Sequence, residues 1–400
     1  MRFYKFFLFL LGAVLSVKAS PFLSYSQGVS CQSCHSNPVG GGILNPEGKH
    51  KSNQKLPLKF LQNQFPQDPL FDGKISDFIT LGGNFQIEEL RKPSVKYLQI
   101  DSNQTDSLVT HSKKLPAQRK TQLRYSDLFI RFDIIPGSTF FYLENDFSNG
   151  NLNEAWALIY SSKIPLFLKI GQIRQPYGIG LPNQGNFNES LLDNKEGKMA
   201  IEMGLSSPSF KFLFQSNQDN LTLQSYYFSS IAGAGFHLSW LTKDLPFIPN
   251  FDRALKAGVS GHISYTPVTL YTQIDLVHTP KGLPTLQGNN ASNNSSALSS
   301  PSNTSSDLSL VYKDKQDLIT YTALELQIIQ GLLLPISYEV FWPNIKSPLS
   351  ITGKDRLSLG LKTYLSSTFC LGVSYQINRA IIDKPSENQD QFTGYLKLNF

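Results

Sequence analysis

Cys31, Cys34 and His35 stand in the order Cys31-Gln32-Ser33-Cys34-His35, and that spacing has a specific chemistry. Two thiols three positions apart lie on one side of a helical turn, where they add to the two vinyl groups of a haem. The histidine directly after the second thiol then sits under the iron and supplies the proximal imidazole. One covalently attached haem c is the expectation. Three other uses of a cysteine pair fit less well. A zinc site needs four ligands, and the third cysteine, Cys370, is far away in sequence. A thioredoxin-like pair follows a strand in a βαβ setting, which these neighbours do not provide. A disulfide across two intervening residues would be strained.

The second axial position is open to several residues. His50 lies 15 positions beyond His35, after Gly40-Gly41-Gly42, a stretch flexible enough to fold the chain back over the iron. It reads equally as an exposed histidine of the loop Gly48-Lys49-His50-Lys51. Met199, Met203, His111 and an open position are the alternatives, and each would give the iron a different spin state or potential.

The elements that must hold this motif divide the chain in three. Residues 1–19 read as an export leader: Arg2 and Lys5 precede a short apolar run, and Val17-Lys18-Ala19 approximates a small-x-small cleavage site. The run is shorter than the roughly 18 residues of a membrane-spanning helix. Residues 20–75, the haem-binding segment and linker, read as loop, with Pro57, Pro66 and Pro69 interrupting any long helix. A segment so short cannot enclose a haem by itself, so a larger unit has to shield the ring.

That unit is residues 76–400, where hydrophobicity alternates with period two. Leu128, Ile130, Phe132 and Ile134 alternate with Asp127, Phe129, Arg131 and Asp133; Val268, Leu270, Thr272, Ile274 and Leu276 alternate with Thr269, Tyr271, Gln273 and Asp275. The same reading holds over 140–146, 221–229, 336–342 and 357–364. A soluble β-sandwich also alternates. Charges recurring on the polar face, alternation up to Leu396, Leu398 and Phe400, and a series of about 14–18 strands favour a transmembrane antiparallel β-barrel. The fold class expected is therefore all-β. Cys370, out of phase with Phe369 and Leu371, is expected to face the lumen. The Asn- and Ser-rich stretch 288–306 reads as a long surface loop.

Composition agrees. Mean hydropathy is −0.19, too polar for a helical membrane protein, while 28 Phe and 17 Tyr suit strands and interfacial girdles. Setting Arg2, Lys5 and Lys18 aside leaves 33 basic against 30 acidic residues. That balance gives no support for nucleic-acid binding.

Two stretches carry a family resemblance. Cys31 to Pro38, running through Gly40-Gly41-Gly42 to Gly48, resembles the haem peptide of single-haem cytochrome–porin fusions, which include outer-membrane iron oxidases. Lys169-Ile170-Gly171-Gln172-Ile173-Arg174-Gln175-Pro176-Tyr177-Gly178 resembles the strand-and-turn motif of phosphate-selective-type porins. The resemblance implies a porin-like barrel in the bacterial outer membrane, with the haem segment on the periplasmic side or in the barrel lumen.

The expected function is electron transfer between a lumen-entering or extracellular redox substrate, a small molecule or metal ion, and a periplasmic cytochrome or other carrier. One haem is far smaller than the roughly 30 Å hydrocarbon core, so either the substrate enters the lumen or a partner approaches closely. The alternative is an anion or solute porin with the haem segment as plug or sensor; there, lumen-facing Lys169 and Arg174 would favour anions. A haem enzyme such as a peroxidase ranks last, since no distal His/Arg arrangement lies near the motif.

Overall fold

The computed structural model describes residues 29–30, 33–37, 43–60, 73–101, 109–147, 150–161, 164–176, 197–241, 254–279, 284–286, 310–312, 315–343, 345, 353–366, 369–380 and 389–399. The leader, Cys31, the 288–306 stretch and Phe400 lie outside the described residues.

Among the described residues one helix, α1 (Pro46–Lys55), precedes the strands β1 (Lys74–Ser76), β2 (Ile79–Lys92), β3 (Val95–Asp101) and β4 (Val109–Leu115). Then come β5 (Gln118–Ile135), β6 (Thr139–Asp146), β7 (Asn151–Tyr160), β8 (Leu166–Ile173), β9 (Lys198–Ser206), β10 (Phe210–Asn217) and β11 (Asn220–Tyr227). The series continues with β12 (Ala232–Leu241), β13 (Ala254–Tyr265), β14 (Val268–Thr279), β15 (Pro284–Leu286), β16 (Leu310–Tyr312) and β17 (Lys315–Ile329). It ends with β18 (Leu332–Trp342), β19 (Lys354–Tyr364), β20 (Phe369–Ala380) and β21 (Gln391–Asn399).

Sixteen of these strands form one closed antiparallel barrel. From β5 each barrel strand pairs with the next one, and β2 closes the circle by pairing with β5 on one side and β21 on the other. Closure satisfies the backbone N–H and C=O groups that an open sheet edge would leave bare in lipid. The hairpins β3–β4 and β15–β16 stand apart from the barrel sheet. No helix among the described residues is long and apolar enough to cross a membrane.

The period-two pattern is inverted relative to a soluble protein. On β14, Thr269, Tyr271, Gln273 and Asp275 are buried inside while Leu270, Ile274 and Leu276 are exposed outside. Exposed Ile159, Ile170, Ile201, Phe210 and Trp240 continue that outer surface around other strands. Such a wall suits lipid, not water. Cys370 is fully buried on the lumen side, in the phase its neighbours imply.

The two rims differ. Gln330 and Gly331 alone separate β17 from β18, and Gly331 takes a φ of +83° that a side chain would strain. The turns β5–β6, β7–β8, β9–β10, β11–β12, β13–β14 and β19–β20 at this rim are also short. Connections at the opposite rim are longer on the whole, with 24 residues between β8 and β9 and 35 between β14 and β17, β15 and β16 included.

One element departs from the loop expected over residues 20–75. Asn45 caps α1 through its Oδ1, which accepts from the Gly48 N–H at 2.8 Å; Pro46 starts the first turn and Lys55 sits in the last. A cap of this type contributes about 1 kcal/mol. Ten residues remain marginal for an isolated helix, so its contacts with Cys34 and with Gln330 at the barrel rim decide the matter.

Candidate functional site

The described residues 29–30, 33–37 and 43–60 lie across the short-turn mouth of the barrel and are tied to its wall on several sides. The Ser30 N–H donates to the carbonyl of Pro208, in the β9–β10 turn, at 2.8 Å. Arg131 of β5 donates through Nη1 to Ser36 Oγ at 2.8 Å, and Lys169 of β8 donates to Asn37 Oδ1 at 3.3 Å. Across the mouth, the Leu58 N–H donates to the Tyr364 carbonyl at 2.8 Å. The Gln330 side chain donates to the carbonyls of Gln54 and Pro57.

Apolar contacts reinforce both anchor regions. Ile43 is buried with Phe129, Phe140, Tyr142 and Trp156 of the inner wall, where Tyr142 and Trp156 stack with ring centroids 4.6 Å apart. Leu56 is buried with Leu333, Tyr364 and Cys370. Burying Ile43 and Leu56 is worth roughly 1.5–3 kcal/mol each, which the polar anchors then orient.

Within the segment, α1 folds back onto the motif. The Asn45 N–H donates to the Cys34 carbonyl at 2.9 Å, and His35 forms a β-bridge with Leu44. A Cβ at Gly48 would stand 2.0 Å from the Cys34 carbonyl oxygen, so only glycine lets the helix approach this closely. Cys34 is half-buried and His35 buried. Thiol, imidazole and a neighbouring aromatic wall are a donor set and lining that fit a covalently held haem; Cys31 lies outside the described residues.

His50 sits on α1, exposed, with its Nε2 2.9 Å from Gln54 Nε2. The alternative ligands lie elsewhere. Met199 and Met203 point out of β9 on the lipid-facing side, and His111 is on β4, in the hairpin beyond the opposite rim. Neither methionine reaches the lumen.

Lys169 and Arg174 do face inward, but each meets an acid. Lys169 Nζ is 3.1 Å from Glu202, both fully buried, and 4.7 Å from the Trp156 ring centroid. Arg174 Nη2 is 2.6 Å from Glu144, and its backbone N–H donates to Glu154. Their charges are compensated locally, which removes the reason for expecting these two to draw anions. Just after β8, Gln175 reaches across to β11 and β12: it donates to Thr222 at 2.6 Å and to Ser239 at 3.3 Å, and accepts from Asn220. Sequence reasoning held Ser36, Asn37 and Gln175 only as members of the two resembling stretches and did not single out Ile43; Arg131 was legible only as a charge on a polar strand face.

No known family profile and no curated relative matches the sequence. Solved structures do. The anion-selective porin of Comamonas acidovorans superposes with a TM-score of 0.55 at 9% identity, covering 80% of this chain and 99% of that one. The fold is that of an outer-membrane porin. The porin-like barrel of the outer membrane channel DcaP of Acinetobacter baumannii gives 0.53 at 11% identity over 82% and 99% of the two chains. OmpF of Salmonella typhi, solved with daunomycin, gives 0.52 at 13% identity over 80% and 97%.

Proposed function

We propose that this chain is a solute channel of the bacterial outer membrane whose periplasmic mouth is stoppered by its own N-terminal segment. The observation that carries the reading is the seating of Ser30, Ser36, Asn37, Gln54 and Leu58 across the short-turn rim, bonded to β5, β8, the β9–β10 turn, the β17–β18 turn and β19. Periplasmic turns of such barrels are short and extracellular loops long, which supports the orientation. The apolar outer wall and the porin fold support the location. Reconstituted protein should let small sugars swell liposomes; impermeability of both the full chain and a chain lacking the segment would end the channel reading.

On this reading the stopper carries one haem c, with Cys31 and Cys34 as thioether attachments, His35 as proximal ligand and His50 as candidate distal ligand. The haem would supply one-electron chemistry at the mouth. Cys34, His35 and the Ile43 contact would fix its attachment point against the wall. This position favours a second reading, in which a periplasmic cytochrome or similar carrier exchanges electrons with a solute or metal ion reaching the lumen. Protein matured with haem should stay haem-stained after denaturation, and Cys31→Ala with Cys34→Ala should lose the stain. His50→Ala should keep the stain and turn a low-spin spectrum high-spin; an unchanged spectrum would remove His50 from the iron.

A further inference from the structure

On the outer wall, at the long-loop end, four side chains from four adjacent strands stand in one row. Tyr375 of β20 is the register partner of Phe392 of β21, Phe392 of Arg91 of β2, and Arg91 of Arg119 of β5. They line a cleft of about 470 Å³ that Lys92 and Gln118 also border. Four positions nearer the barrel middle, the paired residues Ile87 and Leu123 are exposed and apolar. The row therefore begins where the lipid-facing surface ends, at headgroup level.

Two arginines directly opposite each other on neighbouring strands repel. Here one carboxylate, Glu89, serves both: its Oε1 lies 2.6 Å from Nε of Arg91 and 2.6 Å from Nε of Arg119. At the other end of the row the Tyr375 hydroxyl donates to Asp390 at 2.8 Å, and Lys92 borders the cleft, so three cationic side chains meet two carboxylates and the row keeps a net positive charge. Arg119 is the more exposed of the two arginines. Planar guanidinium forks match phosphate oxygens in paired hydrogen bonds, while Tyr375 and Phe392 offer an apolar and aromatic bed beside them, as residues at membrane interfaces do.

We propose that this row is a clamp for the phosphorylated headgroup of a membrane lipid in the leaflet on the long-loop side, with the arginines on the phosphate and the aromatic pair against the adjoining sugar or acyl chain. The assignment rests on the membrane-barrel reading above. A free phosphate ion shares the chemistry, but only an amphiphile also uses the aromatic half of the cleft.

The test uses the full chain in detergent and follows the temperature at which its compact, fast-migrating gel band is lost. Diphosphoryl lipid A should raise that temperature by several degrees. Its dephosphorylated form and inorganic phosphate should not. In R91Q/R119Q the rise should vanish, while the compact band and sugar uptake into liposomes persist. A rise retained in R91Q/R119Q would overturn the clamp, and an equal rise with inorganic phosphate would replace it with a small-anion site. Absence of any compact band and of any sugar uptake would instead sink the membrane-barrel reading and the clamp with it.

Discussion

Removing residues 29–60 should raise the single-channel conductance of the barrel severalfold in planar bilayers. Two apolar anchors and several hydrogen bonds hold the segment across the mouth, and the barrel strands close on one another without it. The deletion therefore opens the lumen without cutting the barrel. Ile43→Ala is the companion variant, since it removes the side chain buried among Phe129, Phe140, Tyr142 and Trp156. Such a truncation costs about 2–5 kcal/mol, so that part of the segment should loosen from the wall and give an intermediate, flickering conductance. Both variants should keep the shift between boiled and unboiled gel mobility that marks a folded barrel. Conductance equal to that of the full chain in both variants would mean that the segment does not obstruct the lumen.

Breaking the Lys169–Glu202 pair should strongly destabilise the wall. Both side chains are fully buried at 3.1 Å, so Glu202→Leu leaves an ammonium with no carboxylate beside it. Loss of one partner of a buried pair costs about 3–5 kcal/mol, whereas replacing both with apolar residues of similar size is often neutral. Urea unfolding followed by tryptophan fluorescence should show Glu202→Leu strongly destabilised and Lys169→Met with Glu202→Leu close to the parent. The double variant also removes the donor to Asn37, so its conductance should rise modestly while stability recovers. If the double variant were as unstable as the single one, packing and not charge would be the source of the loss.

The sequence by itself determined the class of the wall, and it alone motivates the proposed covalent cofactor. Alternation over β14 told which side chains face in and which face out, because a strand has only two faces and the one that touches lipid must be apolar. Cys370 could be placed by phase alone, and Cys31-Gln32-Ser33-Cys34-His35 is local chemistry that needs no fold to be read. Strand number needed the structure, since the step from about 14–18 to sixteen depends on which strands pair to close the circle. The seating of the segment did too. Ser36 meets Arg131 over 95 positions and Asn37 meets Lys169 over 132, and no periodicity reports contacts between such distant residues. The helix Pro46–Lys55 follows the same logic: ten residues without a large apolar side chain become a helix only when Gly48 can rest on Cys34 and Leu56 can enter the wall. The charges of Lys169 and Arg174 read as anion-attracting until the barrel set Glu202 and Glu144 against them, because compensation is decided by neighbours across strands and not along the chain.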